Sequence, residues 1–347
     1  MPRKVKMNKI TSPEKTALIN KENIQLMEDF LSFLKSQKKS EGTIRGYKSD
    51  LLIFFTFVLE ELNNKDFKDI NKRDIIRYQN TLIDRGNSSA RIRRLKAAVS
   101  SLSNFCEEIL AGDDPEYDDF RSIINKIKNP PLQPALEQVI WEPEEVEQLI
   151  QYFAGTKRRD IACFMALALY SGRRKSELCR FKVSDFAEDR LVCDGALYKS
   201  GLIKTKGQGG GKYINCYVLA KQFDKYLRLW LDDLSERGIT SEWLFPQIDN
   251  PTKHISGTST ANSWAHTIDR KAVEMFGKTW NPHSMRHTFT TMLYKAGIPE
   301  SVIQSIVAWQ SADMVKVYLN VTPEEQIGMY FKDGEIVTPQ QRGLSEL

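Results

Sequence analysis

The sequence has 347 residues, of which 41% are hydrophobic and 27% are charged, and its formal net charge is +5. This length favours two domains, and so mild a positive charge does not by itself indicate a nucleic-acid partner. The five cysteines include no C-x-x-C pair, so neither a disulfide framework nor a metal site is expected, and reduced thiols favour a cytoplasmic protein. The longest apolar runs, Leu51–Leu59 and Ile161–Tyr170, are too short to cross a bilayer, and the basic N-terminus lacks the apolar stretch of a secretory signal.

Residues 1–20 are basic and polar, and they predict a flexible tail, with a basic arm along DNA phosphates as the alternative. Residues 21–111 carry four apolar stripes at helical spacing, which predict a small four-helix domain. Asn71 and the pair Ser88–Ser89 are candidate N-caps within it. The four stripes start at Ile24, Ile44, Ile75 and Ile92.

Residues 112–140 are rich in proline and aspartate, and they predict a short helix followed by an extended linker. Pro143, with two glutamates after it, predicts the start of a helix and opens a second domain at residues 141–331. Residues 332–347 are polar and are predicted to form a C-terminal tail. The second domain is predicted to be helical to about Phe181, to contain strand-like runs at 190–193, 201–206 and 213–219, and to be helical again from Ala220 to Met329.

Four short motifs of the second domain carry chemically useful side chains. They are residues 171–177 with adjacent arginines, Lys204–Gly207 before a glycine run, His283–Arg286, and the segment from Trp309 to Tyr318. Each alone has a plain structural interpretation: a solvated helix start, a hairpin turn, an ordinary histidine and a core tyrosine. The glycine run is not a P-loop, because Lys206 stands where that motif needs its first glycine.

In this order and spacing the motifs resemble those of the tyrosine recombinase (phage integrase) family, and the resemblance covers most of the chain. The family's arginine box, T-G-x-R-x-S-E, matches Ser-Gly-Arg-Arg-Lys-Ser-Glu at residues 171–177. The match implies that Arg174 is a catalytic arginine and that Glu177 is its supporting acid. The family's hairpin lysine falls on Lys206, with Lys204 as a rival.

The remaining family motifs fall in the last third of the chain. The H-x-x-R box matches His283 and Arg286, and His287 after it is interpreted as mainly structural. The family's L-G-H motif is replaced by Val-Ala-Trp ending at Trp309, and Tyr318 keeps the nine-residue spacing to the nucleophilic tyrosine. The tryptophan departs from the commoner histidine.

The resemblance implies a phosphoryl transfer in which the phenol oxygen of Tyr318 attacks DNA and forms a 3′-phosphotyrosine. Arg174 and Arg286 can donate forked hydrogen bonds to the phosphate oxygens. Lys206 is the expected general acid for the leaving 5′ oxygen, and His283 the expected base. The indole N–H of Trp309 can donate to the phosphate. No metal, cofactor or ATP is required.

The implied fold is mainly α with a small antiparallel β-sheet. It has an N-terminal helical core-binding (SAM-like) domain, with Thr43, Tyr47 and Phe55 around its second helix, and a mixed α/β catalytic domain. The expected partners are double-stranded DNA, further copies of the chain in a tetramer on two DNA sites, and accessory DNA-bending or excision factors, with no membrane. The family is prokaryotic or phage-encoded, so a cytoplasmic, nucleoid-associated protein is expected.

A set of basic side chains in the helical domain is predicted to touch DNA phosphates, with a solvated helix face as the alternative. They are Lys72, Arg73, Arg91, Arg93, Arg94 and Lys96.

Three further functions compete with a recombinase or integrase. A DNA-binding regulator could keep the recombinase fold without strand exchange, because fold does not fix function. A type IB topoisomerase shares the chemistry. A helical scaffold protein would leave the ordered set of motifs without an explanation.

Overall fold

The computed structural model describes residues 10–124, 127–131, 139–205, 211–309, 311, 315, 319, 321–322, 325, 331–332 and 335–336. These residues form two compact units, residues 10–131 and the residues from 139 onward, and each unit has its own hydrophobic core. Most of the secondary structure is helical, and the strands are short and antiparallel. The predicted fold class is confirmed at this level.

Amphipathic helices build the first unit, which we call the helical unit. The side chains of Asn20, Ser40, Asn71 and Ser88 cap four of the helices. The predicted cap at Asn71 is confirmed, and of the pair Ser88–Ser89 it is Ser88 that caps its helix. The predicted apolar stripes face one another in a core that includes Phe30, Phe54, Tyr78 and Leu95. The helices are α1 (Pro13–Leu18), α2 (Lys21–Ser36), α3 (Glu41–Glu61), α4 (Lys72–Asp84) and α5 (Ser89–Phe105), with 3-10 turns at Phe67–Asp69 and Pro115–Tyr117 and a π-helical turn at Cys106–Leu110.

Helix α1 lies within the segment that the sequence predicts as a flexible tail. Ser12 caps it, and Pro13 occupies its first turn. Ile19 after it is buried, and Lys15 pairs with Glu60 of α3. The prediction is wrong for this part because a cap, a proline and one buried apolar residue suffice to dock a short helix on α3. Residues 1–9 lie outside the described residues.

The first part of the predicted linker also packs on the helical unit. Phe120, Ile123 and Ile124 are buried in its core. The backbone N–H of Ser122 donates to the Glu107 carboxylate at 3.1 Å. The extended chain is therefore held by side chains at least to this point.

The second unit is organised around α7, whose side chains from Ile161 to Ser171 are all buried. Helices α6, α9 and α11 pack against it. Pro143 begins α6, as predicted. The helices are α6 (Pro143–Gly155), α7 (Arg159–Ser171), α8 (Lys175–Leu178), α9 (Ala220–Glu236), α10 (Ser259–Phe276), α11 (Pro282–Lys295) and α12 (Glu300–Val307).

The strands of this unit form one three-stranded sheet and two hairpins. The sheet has the order β1 (Leu191–Val192), β2 (Leu197–Lys199), β5 (Tyr217–Leu219). One hairpin pairs β3 (Ile203–Thr205) with β4 (Lys212–Ile214), and the other pairs β6 (Phe331–Lys332) with β7 (Glu335–Ile336). Every pairing is antiparallel.

Three features of the second unit differ from the sequence predictions. The run 213–219 is two strands in two sheets, because the backbone N–H of Cys216 and the side chain of Asn215 bond to Ser200 and break the run. Residues 237–258 are not helical, since the chain turns at Gly238 in the left-handed region and then forms isolated bridges. The pair β6–β7 begins at Phe331, the last residue of the predicted second domain, and extends into the predicted polar tail.

Among the described residues, no helix combines the length and the apolar character needed to cross a membrane.

Candidate functional site

The arginine box, residues 171–177, lies at the turn that joins α7 to α8. Gly172 follows the end of α7 with a φ of 59°, in the left-handed region. A Cβ at this position would lie 2.5 Å from Cδ1 of Phe289 on α11. Glycine is therefore required both by the backbone angle and by the close packing of α11 on the turn.

Arg174 and Glu177 hold each other at the start of α8. The backbone N–H of Arg174 donates to Glu177 Oε2 at 3.2 Å, and its Nη1 donates to Oε1 at 3.0 Å. The Arg174 side chain keeps 41% of its surface exposed, whereas the Glu177 side chain has none. Glu177 thus orients a guanidinium that remains accessible to a ligand.

Glu177 also connects the arginine box to β3, because the hydroxyl of Thr205 donates to its Oε1. Burial acts to raise the pKa of Glu177, but the Thr205 hydrogen bond and the charges of Arg173 and Arg174 outweigh it, so the pKa lies below its usual value. The buried carboxylate is therefore ionised at neutral pH and ties the hairpin to the box.

Arg286 links three motifs that are far apart in the sequence. Its Nη1 donates to the Gly172 carbonyl of the arginine box at 2.9 Å, and its Nη2 donates to the Val307 carbonyl at the end of α12, also at 2.9 Å. Its Cζ lies 4.8 Å from the centroid of the Trp309 ring, a cation–π distance. The guanidinium has no exposed surface.

The start of α11 presents His283 one turn before Arg286. Asn281 caps the helix by accepting from the backbone N–H of His283, and Pro282 occupies the first position. Partial burial of the ring, followed by the positive charges of Arg286 and Arg174, lowers the pKa of His283. The imidazole is therefore mostly neutral at neutral pH, as a base must be.

His287 lies edge-on to His283, with ring centroids 5.6 Å apart, and its interpretation as structural stays a prediction.

Trp309 is placed by the end of α12. Ala308 takes a left-handed conformation, with φ 52° and ψ 52°, which turns the chain. The backbone N–H of Trp309 donates to the Gln304 carbonyl at 3.1 Å, and the Gln304 side chain donates back to the Trp309 carbonyl at 3.2 Å. The ring is buried against Arg286.

The structure thus brings together four of the predicted catalytic side chains, Arg174, His283, Arg286 and Trp309. Lys204, the rival hairpin lysine, is exposed on β3. Lys206 and Tyr318 lie outside the described residues, and their roles stay predictions.

Of the basic side chains of the helical unit that are predicted to contact phosphates, some are exposed and others are bonded to groups of the protein. Lys72 and Arg73 are exposed in the first turn of α4. Arg91 and Arg94 both bond the buried Asp50 carboxylate of α3, at 3.2 and 2.9 Å. One carboxylate cannot neutralise two guanidiniums, so this face keeps a positive charge.

Arg93 and Lys96 instead bond groups within the helical unit. Arg93 donates to the Pro130 carbonyl at 3.0 Å. Lys96 is 3% exposed and donates to Gln79 at 2.6 Å. Burial, with the charge of Arg93 added, lowers the pKa of Lys96. Lys96 therefore does not present its ammonium group to a phosphate in this conformation.

Three side chains in these sites were not singled out by the sequence. Arg173 occupies the variable position of the arginine box and is fully buried. Thr205 and Asp50 hold functional candidates in place. Alternation along β3, which buries Thr205 and exposes Lys204, was a usable signal for Thr205.

In the part of the chain that the structure describes, no three His, Cys, Asp or Glu side chains are grouped so that they could hold a metal ion.

Comparison with known proteins matches two family models. The model described as the phage integrase family matches residues 140–325, and the model of the phage integrase N-terminal SAM-like domain matches residues 27–108. The predicted combination of a SAM-like domain and a recombinase catalytic domain is confirmed by these matches.

Individual relatives cover most of the chain. It is 31% identical over 278 residues to the SPbeta prophage-derived recombinase-like protein YomM of Bacillus subtilis, with 79% of each chain covered. It is 26% identical over 302 residues to the tyrosine recombinase XerA of Pyrococcus furiosus, with 86% of this chain and 90% of the relative covered.

Two solved structures have the same fold. The XerH site-specific recombinase, bound to the palindromic difH substrate in a post-cleavage complex, matches with a TM-score of 0.63 and 17% identity, covering 92% of this chain and 89% of its own. A lambda integrase tetramer bound to a Holliday junction matches with a TM-score of 0.60 and 14% identity, covering 89% and 81%.

Proposed function

Because the chain belongs to the phage integrase family, we propose that it is a site-specific DNA recombinase or integrase that cleaves and rejoins strands through Tyr318. The observation that carries the proposal is Arg286, which bonds the arginine box and the end of α12 and lies on the Trp309 ring. Three separate motifs meet at this guanidinium, as a shared phosphate site requires.

The chemistry follows from the side chains around that guanidinium. Charge builds on the phosphate oxygens when the Tyr318 phenol attacks, and preorganised donors can each stabilise it by about 3 kcal/mol. Arg174 is oriented by Glu177 and is accessible, so it supplies one fork. Arg286 supplies the second fork after the groups that cover it move, because a side chain without exposed surface cannot meet a phosphate.

Proton transfer is assigned to His283 and the hairpin lysine. His283, neutral because of its lowered pKa, accepts the phenol proton of Tyr318. Lys206 donates a proton to the leaving 5′ oxygen. The 3′-phosphotyrosine conserves the energy of the broken bond, so rejoining needs no ATP. The two arginines stabilise the phosphate charge, so no metal ion is required.

Contacts to the DNA backbone are also assigned to the helical unit. Lys72 and Arg73 of α4 neutralise DNA phosphates. Asp50 bonds both Arg91 and Arg94 and presents them to the DNA backbone. The proposal includes a tetramer on two DNA sites, which the lambda integrase tetramer bound to a Holliday junction supports. It also includes accessory DNA-bending or excision factors. The protein acts in the cytoplasm, where its DNA target lies.

The test is covalent trapping on a nicked DNA substrate that carries the DNA sequence flanking the gene for this protein. The expected result is a protein–DNA adduct at Tyr318 that is lost in Tyr318→Phe and kept in Tyr152→Phe, a control at a partly exposed tyrosine of α6. Absence of an adduct from the unsubstituted protein, with the DNA site bound, would refute the proposal.

A DNA-binding regulator is the second candidate, and the burial of Arg286 favours it. A regulator would bind one DNA site equally well with Tyr318→Phe and would give no adduct. The same trapping experiment therefore separates the two functions.

A further inference from the structure

Arg173 is a buried charge that the proposed chemistry does not use. Its side chain has no exposed surface, although a guanidinium remains charged at every physiological pH. Burying a charge without partners is strongly unfavourable, so the contacts that compensate it indicate what it does.

Those contacts are main-chain carbonyls at the end of α12. Nη2 donates to the Ile306 carbonyl, and Nη1 lies 3.4 Å from the Val307 carbonyl. The last carbonyls of a helix lack partners within it and carry its negative pole, so a cation is favourable there. Buried Glu177, whose carboxylate interacts with the charge of Arg173, adds further compensation.

The Val307 carbonyl is shared, because Arg286 also donates to it at 2.9 Å. Ala308 turns the chain directly after this carbonyl, and the Trp309 ring returns onto the Arg286 guanidinium. Whatever fixes the end of α12 therefore also fixes the distance between Trp309 and Arg286.

We propose that Arg173 is a positioning residue that ties the end of α12 to the arginine box and thereby sets Trp309 and Arg286 for strand cleavage; this rests on the proposed function. Arg173 is not a phosphate ligand. Its terminal nitrogens are directed at carbonyls inside the unit, whereas its neighbour Arg174 is accessible.

A purely structural alternative makes a different prediction. Buried ionic groups can often be replaced by apolar residues of similar volume without loss of stability. If Arg173 only fills space, Arg173→Met will cleave DNA at the normal rate per active molecule. If it positions Trp309, the rate will fall even in fully folded protein.

The experiment compares Arg173→Met and Arg173→Lys in the full chain, with Arg158→Met, at a surface ion pair, as the control. The readouts are the single-turnover cleavage rate per active molecule, the affinity for the DNA site, and the ¹⁹F resonance of Trp309 in 5-fluorotryptophan-labelled protein, assigned with Trp309→Phe. For Arg173→Met we expect at least a tenfold slower cleavage, an affinity within twofold, and a shifted Trp309 resonance. Arg173→Lys should recover part of the rate, because an ammonium group can still bond the carbonyls.

Cleavage at the normal rate by Arg173→Met, with an unmoved Trp309 resonance, would overturn the proposal. Failure of both variants to fold would also overturn it, in favour of a purely structural role. The resonance does not depend on catalysis. A shift in Arg173→Met, found while the unsubstituted protein forms no adduct, would therefore contradict the proposed function and leave the positioning role standing.

Discussion

Replacing Gly172 with alanine tests the close packing between the arginine box and α11. An alanine there must adopt a φ near 59°, which costs about 1–2 kcal/mol for a residue with a Cβ. Its Cβ would also lie 2.5 Å from the ring of Phe289, which is buried and cannot move freely. Overpacking of this kind costs about 1–3 kcal/mol. We therefore expect Gly172→Ala to lose about 2–5 kcal/mol of unfolding free energy.

Gly277 is the matched control for this substitution. It also follows the end of a helix, α10, with a φ of 68°, but no atom lies within 4 Å of the position that a Cβ would take there. Gly277→Ala should therefore lose only the backbone contribution of about 1–2 kcal/mol. Both glycines belong to the second unit, so the same unfolding transition reports both substitutions.

Urea unfolding followed by circular dichroism measures the difference. Adding Phe289→Leu to Gly172→Ala should recover part of the loss, because a smaller side chain leaves room for the new methyl group, whereas Phe289→Leu with Gly277→Ala should be additive. Equal losses for the two alanine variants, without coupling to Phe289, would refute the argument from packing.

Three other predictions concern charge. In a plot of cleavage rate against pH, the midpoint of the acidic limb should lie below the ordinary histidine pKa of about 6.5, because the lowered pKa of His283 keeps the imidazole neutral to lower pH. A midpoint above that value would contradict the role of His283 as base. Arg73→Ala should reduce the slope of log affinity against log salt by about 1 at unchanged stability, whereas Lys96→Ala should lower stability at an unchanged slope. Because its pKa is lowered in the folded chain, Glu177 contributes stability above about pH 4.3 that is lost as pH falls further; urea titrations should find this dependence removed in Glu177→Gln.

Much of the fold could be predicted because periodicity and caps are local signals. The stripe from Ile92 and the cap at Ser88 placed α5 correctly. The same stripe held the information that was missed for Lys96, which lies four residues after Ile92 and three before Val99, both buried. The basic side chain of Lys96 predicted a phosphate contact, whereas its position in the stripe predicted the buried face.

Other features depended on contacts that no local pattern carries. Strand β2 has three residues, and its pairing with β1 and β5 comes from the neighbouring chain segments. His283 and Arg286 are three residues apart, yet one is exposed and the other fully buried. The depth of Arg286 is set by Gly172, Val307 and Trp309, which are distant from it in sequence, so spacing predicted the shared helix but not the burial.

The attachment of Thr205 to Glu177 bears on how this chain can vary between relatives. The hydroxyl of Thr205 holds the root of the β3–β4 hairpin on the arginine box, and the backbone carbonyl of Thr205 leaves no room for a Cβ at Gly211 on the opposite side. Relatives that differ in the number or type of residues at 207–210, after the proposed general acid Lys206, would therefore keep that root in register. That stretch of sequence can thus differ between relatives while Lys206 and the arginine cluster are inherited unchanged.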